Sequence, residues 1–359
     1  MLICRNVLND AVHNTIWIEE DNEGFLFFRR FTPAQMEVYS EDVIFCLMSR
    51  CSTGVYLLFE TTGDKISLVC KKTSVLDILP TVLKELGISK LVEMGKELKD
   101  QIQQYGKGRI YIEDSFDVFV DGIKVATPKP KSGKINISFK NPNHEPVTVK
   151  ICFPIFAETG IKEIRCNGET KAVNSDKEKM YCFGDSITQG FVAGSPSCSY
   201  TARLACALNL DALNQGVGGY YYDAESLAGL ENLPVPKLIT VAYGTNDWTI
   251  MPDIETIRIN VRQYFKRINE LYPGTPIFVI TPIWRGDMDI LQPSGSLEDV
   301  IEVIKNETSG YSDIKIIDGL EISSRKSEGY ADGWLHPNKK GFKIMANKIL
   351  ERINFHLTN

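Results

Sequence analysis

Apolar and polar positions alternate along the first half of the chain in short runs that predict β-strands. Residues 24–28, Gly-Phe-Leu-Phe-Phe, and 43–47, Val-Ile-Phe-Cys-Leu, are compact apolar runs of strand length. Residues 54–59 and 65–70 flank Thr61-Thr62-Gly63-Asp64, a turn signal that predicts a hairpin. Residues 116–120 alternate, meet Asp121-Gly122 and resume at 123–125, which predicts a second hairpin. Runs at 135–139 and 147–151 complete the set. Between them, residues 76–104 follow a helical period through Leu79, Leu83, Leu86, Leu91, Met94, Leu98 and Ile102. The pattern predicts a jelly-roll-like β-sandwich over residues 1–170 with a helical insertion. His13 and His144 are isolated here and read as surface polar groups.

Residues 167–179 are polar and have no apolar period, so they read as a linker. Beyond them the pattern changes to apolar strands separated by amphipathic helices. Strands are predicted at 180–183, 211–214, 237–243, 276–281 and 314–318, and helices at 200–208, 254–272, 297–305 and 339–353. The longest apolar stripe runs through Ile257, Ile259, Val261, Tyr264, Ile268 and Leu271. Five short apolar strands alternating with helices imply a second domain at 178–359 of α/β class. Its expected core is a doubly wound, flavodoxin-like parallel sheet of five strands. In such a sheet a ligand binds beyond the carboxyl ends of the strands. The sandwich is expected to bury its own core and to reach that site with rim residues at most.

Composition narrows the function classes. A chain of 359 residues, 43% apolar and 24% charged, fits a soluble protein of two domains. Its net charge of -6 argues against nucleic acid or an anionic membrane as partner. The nine cysteines form no Cys-x-x-Cys pair and are odd in number, which suits reduced thiols in a cytoplasm. With four histidines, none beside a cysteine, metal ligation has little support. Asp10, Glu19 and Glu20 interrupt the first twenty residues, so no signal peptide is read there. No apolar run approaches the ~18 residues of a membrane span.

The candidate chemistry sits where strands end. The apolar run 180–183 breaks into Gly184-Asp185-Ser186, a turn that lifts a hydroxyl to the sheet edge. Such a serine can act as a nucleophile, or the three residues can serve only a turn and a helix cap. Asn214-Gln215-Gly216-Val217-Gly218-Gly219 follows the second strand and lets backbone N–H groups approach a ligand. It lacks the spacing of a dinucleotide fingerprint. Gly244-Thr245-Asn246-Asp247 follows the third strand, where Asn246 is a turn former or an amide donor into a cleft. Asp332-Gly333-Trp334-Leu335-His336-Pro337-Asn338 precedes the last helix and holds the one well-placed imidazole of this half.

These four motifs, in this order, resemble those of the SGNH (GDSL) hydrolase superfamily across the second half of the chain. The first half resembles, less specifically, the sandwich that precedes the catalytic domain in some bacterial carbohydrate-esterase-like members. The resemblance implies an SGNH hydrolase-like fold and a role for each matching residue. Ser186 matches the nucleophile and His336 the general base. Gly219 and Asn246, with the Ser186 N–H, match the oxyanion donors. Asp332 is the implied orienter of His336, although the family spacing is Asp-x-x-His and this chain has one residue more. A carboxylate reaching around a bulge at Gly333 and a backbone carbonyl from Gly333 or Trp334 are both open as the imidazole's partner. No metal or organic cofactor is implied.

Tyr220, Tyr221, Tyr222, Trp248 and Trp284 follow strand ends and either line an aromatic rim for a sugar or pack in the core. With no long apolar lid segment, the expected reaction is hydrolysis of a short acyl ester on a small molecule or saccharide, acetyl foremost. An acyltransferase using the same acyl-enzyme, or a short-chain lipase, is the alternative.

Overall fold

A computed structural model describes residues 2–3, 5–74 and 115–358; the predicted helical insertion at 76–104 lies outside the described residues. The first half builds two antiparallel sheets. One runs in the order Trp17–Glu20, Leu26–Arg29, Ala157–Cys166, Lys65–Ser74, Lys134–Ser138, with Leu2–Ile3 also on Ala157–Cys166. The other runs Thr170–Ala172, Tyr56–Thr61, Val147–Cys152, Asp117–Val120, Ile123–Ala126, with Val12–His13 also on Tyr56–Thr61. Alternation explains why they face each other. Phe28, Ile66, Leu68, Ile135 and Ile137 from one sheet and Leu57, Phe59, Val118, Val149 and Ile151 from the other bury into one cluster.

Several local readings change in this context. The turn at 61–64 joins no hairpin, because Tyr56–Thr61 and Lys65–Ser74 enter opposite sheets. Their alternating residues face the same core from opposite sides, and Asn167 Oδ1 accepts the Asp64 and Lys65 N–H groups at 3.0 and 2.9 Å. The second turn does close a hairpin, with Asp121 and Gly122 at φ 47° and 78°. Residues 43–47 form no strand but open the helix Val43–Arg50, capped where Asp42 Oδ1 accepts the Ile44 and Phe45 N–H groups. The polar stretch 167–179 contains a short edge strand, Thr170–Ala172. His13 stacks on Tyr56 at 4.9 Å and bonds the Val173 carbonyl, so it is half-buried rather than a free surface group.

The second half is α/β. Its five parallel strands lie in the order Asp211–Gly216, Lys179–Gly184, Leu238–Ala242, Ile277–Ile280, Ile314–Ile317. Their side chains are buried almost throughout, because helices cover both faces. Tyr200–Leu208 packs with Lys339–Thr358, and Ile254–Leu271 with Leu297–Thr308. The helix Ile254–Leu271 buries Ile257, Val261, Tyr264, Phe265 and Ile268, while Ile259 of the predicted stripe faces solvent. The chain reverses its direction of winding between Lys179–Gly184 and Leu238–Ala242, which opens a crevice at their carboxyl ends.

The halves are not separately packed. Phe31, Tyr39, Met48, Cys51, Ile155 and Phe156 belong to the core of the parallel-sheet half, beside a core of the sandwich's own. The sandwich thus buries a core of its own, and apolar side chains of the first half are in addition buried against the second.

Candidate active site

Strand Lys179–Gly184 ends at a glycine for a packing reason. A Cβ at Gly184 would overlap Thr188 Oγ1 and the Ala242 carbonyl oxygen. Asp185 Oδ1 then accepts the Ile187 N–H at 2.8 Å and caps the short helix Ser186–Gln189, which Gly190 ends at φ 97°. The turn leaves Ser186 half-buried, its Oγ 3.0 Å from His336 Nε2. On the far side of the ring His336 Nδ1 lies 2.6 Å from Asp332 Oδ2.

The extra residue between Asp332 and His336 is absorbed by a bulge. Gly333 takes φ 86°, and Asp332 Oδ1 accepts the N–H groups of Trp334, Leu335 and His336 at 3.0, 2.9 and 3.1 Å. The loop closes where Ala331 N–H donates to the His336 carbonyl at 2.8 Å. Of the two arrangements open in the sequence, the carboxylate contacts the ring. Burial alone would raise the Asp332 pKa, but the His336 bond and charge and the Leu335 and Trp334 N–H groups hold it below the ordinary carboxylate value. An ionised carboxylate only accepts, so the Nδ1 proton faces Asp332 and the Nε2 lone pair faces the Ser186 hydroxyl.

Gly219 and Asn246 stand beyond the strands on either side of Ser186. The turn before Gly219 is held by Val217 N–H on the Gly184 carbonyl (2.9 Å) and Gly218 N–H on Gln189 Oε1 (2.8 Å). Gly219 itself takes φ 83°. Asn246, in the helix Thr245–Ile250, donates one Nδ2 hydrogen to the Tyr220 carbonyl at 2.8 Å and keeps a second amide hydrogen. Asp247 ties the two loops together, accepting the N–H groups of Tyr222 and Gly244 at 3.0 Å each.

The proposed aromatic rim divides. Trp248 is wholly buried and its indole N–H donates to the Gly295 carbonyl at 2.9 Å, so it packs instead of lining a surface. Tyr220 is buried with its hydroxyl on Asp223, and Tyr222 is buried among Tyr243, Tyr264 and Phe265. Trp284 and Tyr221 remain half-exposed; Trp284 lies against Tyr330 and Tyr221 stacks on Tyr220 at 4.9 Å.

Three charged groups stand near the site, of which Arg285 lay outside the motifs read from the sequence. Burial pushes the Asp185 carboxyl up to about 6, against the opposing Ile187 N–H and the His336 and Arg285 charges. Burial likewise pushes Asp247 up to about 7. Arg285 is buried in a two-bond pair with Asp287 (2.5 and 2.8 Å), lies over the Trp248 ring at 4.6 Å and donates to the Thr245 carbonyl at 3.1 Å. Its neighbour Gly286 donates to the Trp334 carbonyl at 2.7 Å, which braces the histidine loop. An Arg-Gly-Asp run past a strand end was the available signal, and it is a weak one. Among the described residues no group of His, Cys, Asp and Glu is arranged to hold a metal ion.

Comparison with known proteins bears on the second half by family and on the whole chain by fold. Residues 182–344 match the model of the GDSL-like lipase/acylhydrolase family. Among proteins of curated function none matches the chain. Solved structures similar to it include the salicylyl-acyltransferase SsfX3 from a tetracycline biosynthetic pathway, at 18% identity and TM-score 0.73, covering 96% of this chain and 94% of that one. A GDSL-like lipase from Bacteroides ovatus aligns at 18% identity and TM-score 0.71, covering 98% and 96%. A family two carbohydrate esterase from Clostridium thermocellum aligns at 14% identity and TM-score 0.63, covering 97% and 99%. At these identities the likeness is one of fold, and it spans both halves. Residues 182–344 thus carry a GDSL-like lipase/acylhydrolase domain.

Proposed function

We propose that this protein is a serine ester hydrolase that removes short acyl groups, acetyl foremost, from a carbohydrate. The observation that carries the reading is the continuous chain Ser186 Oγ, His336 Nε2, His336 Nδ1, Asp332 Oδ2, with links of 3.0 and 2.6 Å. Ser186 Oγ attacks the ester carbonyl carbon while His336 Nε2 takes its proton. The oxyanion is stabilised by the N–H groups of Ser186 and Gly219 and by the free amide hydrogen of Asn246. Collapse expels the sugar alcohol, which leaves with the proton from His336. Water then attacks the acyl-enzyme, gives its proton to His336, and releases the acid as that proton returns to Ser186. Every step uses protein side chains and water, so the mechanism calls for no cofactor.

Two observations support the substrate class. The structurally similar esterase from Clostridium thermocellum is described in complex with cellohexaose, and half-exposed Tyr221 and Trp284 offer faces on which a sugar can stack. Beside the histidine, Phe191 meets the His336 ring edge-on at 4.7 Å.

The reading divides the chain into a sandwich domain at 1–170 and a hydrolase domain at 178–359, acting in the cytoplasm. The eight described cysteines are free, and no described helix is long and apolar enough to cross a membrane. One second reading is favoured by the half-buried Phe45 edge-on to Tyr220 and Tyr221. An apolar wall beside the acyl-enzyme suits an acceptor alcohol more than water, which describes an acyltransferase. Purified protein incubated with acetylated sugars, with and without acceptor sugars, separates the two: free acetate marks the hydrolase and transferred acetyl the transferase. No turnover of either kind, or turnover that survives Ser186→Ala, would overturn the serine mechanism.

A further inference from the structure

We propose that residues of the sandwich half are part of the catalytic apparatus: Arg30 and Gln35 clamp the Asn214–Gly219 turn and so position the oxyanion donors. This inference rests on the hydrolase reading and adds positioning residues to it.

The strand Asp211–Gly216 is the edge of the parallel sheet, and its outer side is covered by the first half of the chain. At its start Tyr56 donates to Asp211 at 2.6 Å. Near its end Arg30, 1% exposed, donates to the carbonyls of Asn214, Cys51 and Met48 at 2.7, 2.8 and 2.9 Å. Among the described residues this guanidinium meets carbonyl oxygens and no carboxylate. Burial accordingly lowers its pKa to about 10. A buried cation with no counter-ion is costly to keep for covering a sheet edge alone, since an apolar side chain would do that.

The adjoining amides show what the cost secures. Gln215 Oε1 accepts from Gln35 Nε2 at 2.8 Å, and Gln215 Nε2 donates to the Arg30 carbonyl. The second Gln35 Nε2 hydrogen goes to the Ser226 carbonyl at 2.6 Å, and Gln35 Oε1 accepts the Thr32 N–H at 2.9 Å. Every polar atom of the Gln35 amide is thus engaged. One residue grips the loop both before Gly219, at Gln215, and after it, at Ser226.

The same segment covers the turn from above. A Cβ on Gly218 would lie 3.3 Å from Met48 Sδ, and one on Gly219 3.4 Å from Phe45 Cε1. Tyr220, whose carbonyl holds Asn246, packs edge-on between Tyr39 (4.9 Å) and Phe45 (4.8 Å). Both oxyanion donors beyond Ser186 are therefore located by residues more than 170 positions earlier in the chain. Oxyanion stabilisation depends on donors fixed before reaction, so loosening this clamp slows the chemical step more than it weakens substrate binding.

The test is a double-mutant cycle on kcat with Gln35→Leu, Gln215→Leu and the pair, which remove the amides at similar volume. Each single variant is expected to lower kcat for p-nitrophenyl acetate by about 10- to 10²-fold while KM stays within about threefold. The pair is expected to be no worse than the more severe single variant, because the two act as one unit. Phe45→Ala, at a half-buried helix position, serves where a glutamine variant fails to fold. It should lower kcat measured well below its melting temperature, with KM within about threefold, and Phe45→Leu should restore it. A folded Gln35→Leu within about twofold of wild-type kcat overturns the proposal, as does an unaffected Phe45→Ala if the glutamine variants do not fold. Both outcomes are read beside an inactive Ser186→Ala; an active Ser186→Ala overturns the hydrolase reading instead.

Discussion

Asp332 Oδ2 lies 2.6 Å from His336 Nδ1 across three intervening residues, and the left-handed backbone of Gly333 is what permits that reach. The same carboxylate accepts three N–H groups of its own loop, so it is fixed before it orients the imidazole. Replacing it by its amide puts a donor opposite Nδ1 and favours the wrong tautomer. Asp332→Asn is expected to lower kcat by about 10⁴, the scale of a serine triad, with circular dichroism unchanged. A loss below about tenfold would mean that the loop backbone alone holds His336.

Gly333 should resist substitution for the same reason. A β-branched residue at φ 86° is strained by about 1–2 kcal/mol, so Gly333→Val is expected to lower the melting temperature and displace Asp332 from the ring. Stability and kcat measured together check this: both should fall, and a variant with neither effect would show that the bulge is not needed.

Asp247 makes a pH prediction whose sign is fixed. Its folded pKa is raised to about 7 by burial, above an ordinary value near 3.8, so the native state binds the extra proton. Its contribution to stability is fully present below the unfolded pKa and is lost as pH rises through about 7. Asp332 acts oppositely and only at lower pH, because its depressed pKa keeps it charged until pH falls below the carboxylate range. Melting temperatures from pH 5 to 8 should therefore fall with pH more steeply in wild type than in Asp247→Asn. Parallel curves would exclude the effect.

Acyl length is the next test. The sequence holds no long apolar lid segment, so p-nitrophenyl acetate should be cleaved with higher kcat/KM than octanoate. A profile that rises with chain length would point to an apolar groove and away from acetyl esters.

Residues 178–359 expressed alone should be insoluble or without turnover. Removing the first half uncovers the edge strand Asp211–Gly216 and the apolar surface now packed by Phe31, Tyr39, Met48 and Phe156. A soluble fragment with wild-type kcat would show that the clamp on the oxyanion turn is dispensable.

Much of the second half was legible in the chain. Buried parallel strands read as unbroken apolar runs and their covering helices as 3.6-residue stripes, so Tyr200–Leu208 and Ile254–Leu271 were readable to within a residue. Ser186 and Asn246 were legible because each follows a strand end, where a glycine or a turn interrupts the apolar run, and His336 because it is the one imidazole set just before the last helix. The first half was less so. The run 43–47 has the same apolar residues as a strand, and what makes it a helix is the Asp42 cap and an apolar side laid on the Gly218–Tyr220 turn. Strand Ala157–Cys166 went unread because a bulge between Ile161 and Glu163 shifts its alternation by one residue, although it is the central strand of its sheet.

By itself the sequence determined the order of elements and the residue types at each strand end, since backbone propensity and one-face burial are local. Only the tertiary structure decided which strands pair, whether Trp248 faces a cleft or the core, and how Asp332 reaches around its extra residue. Arg30 with Asn214 and Gln35 with Gln215 meet across 184 and 180 residues. A hydrogen bond between such distant positions imposes no period on the chain around either one. Its existence is settled when two sheets pack and leave a buried amide no other partner.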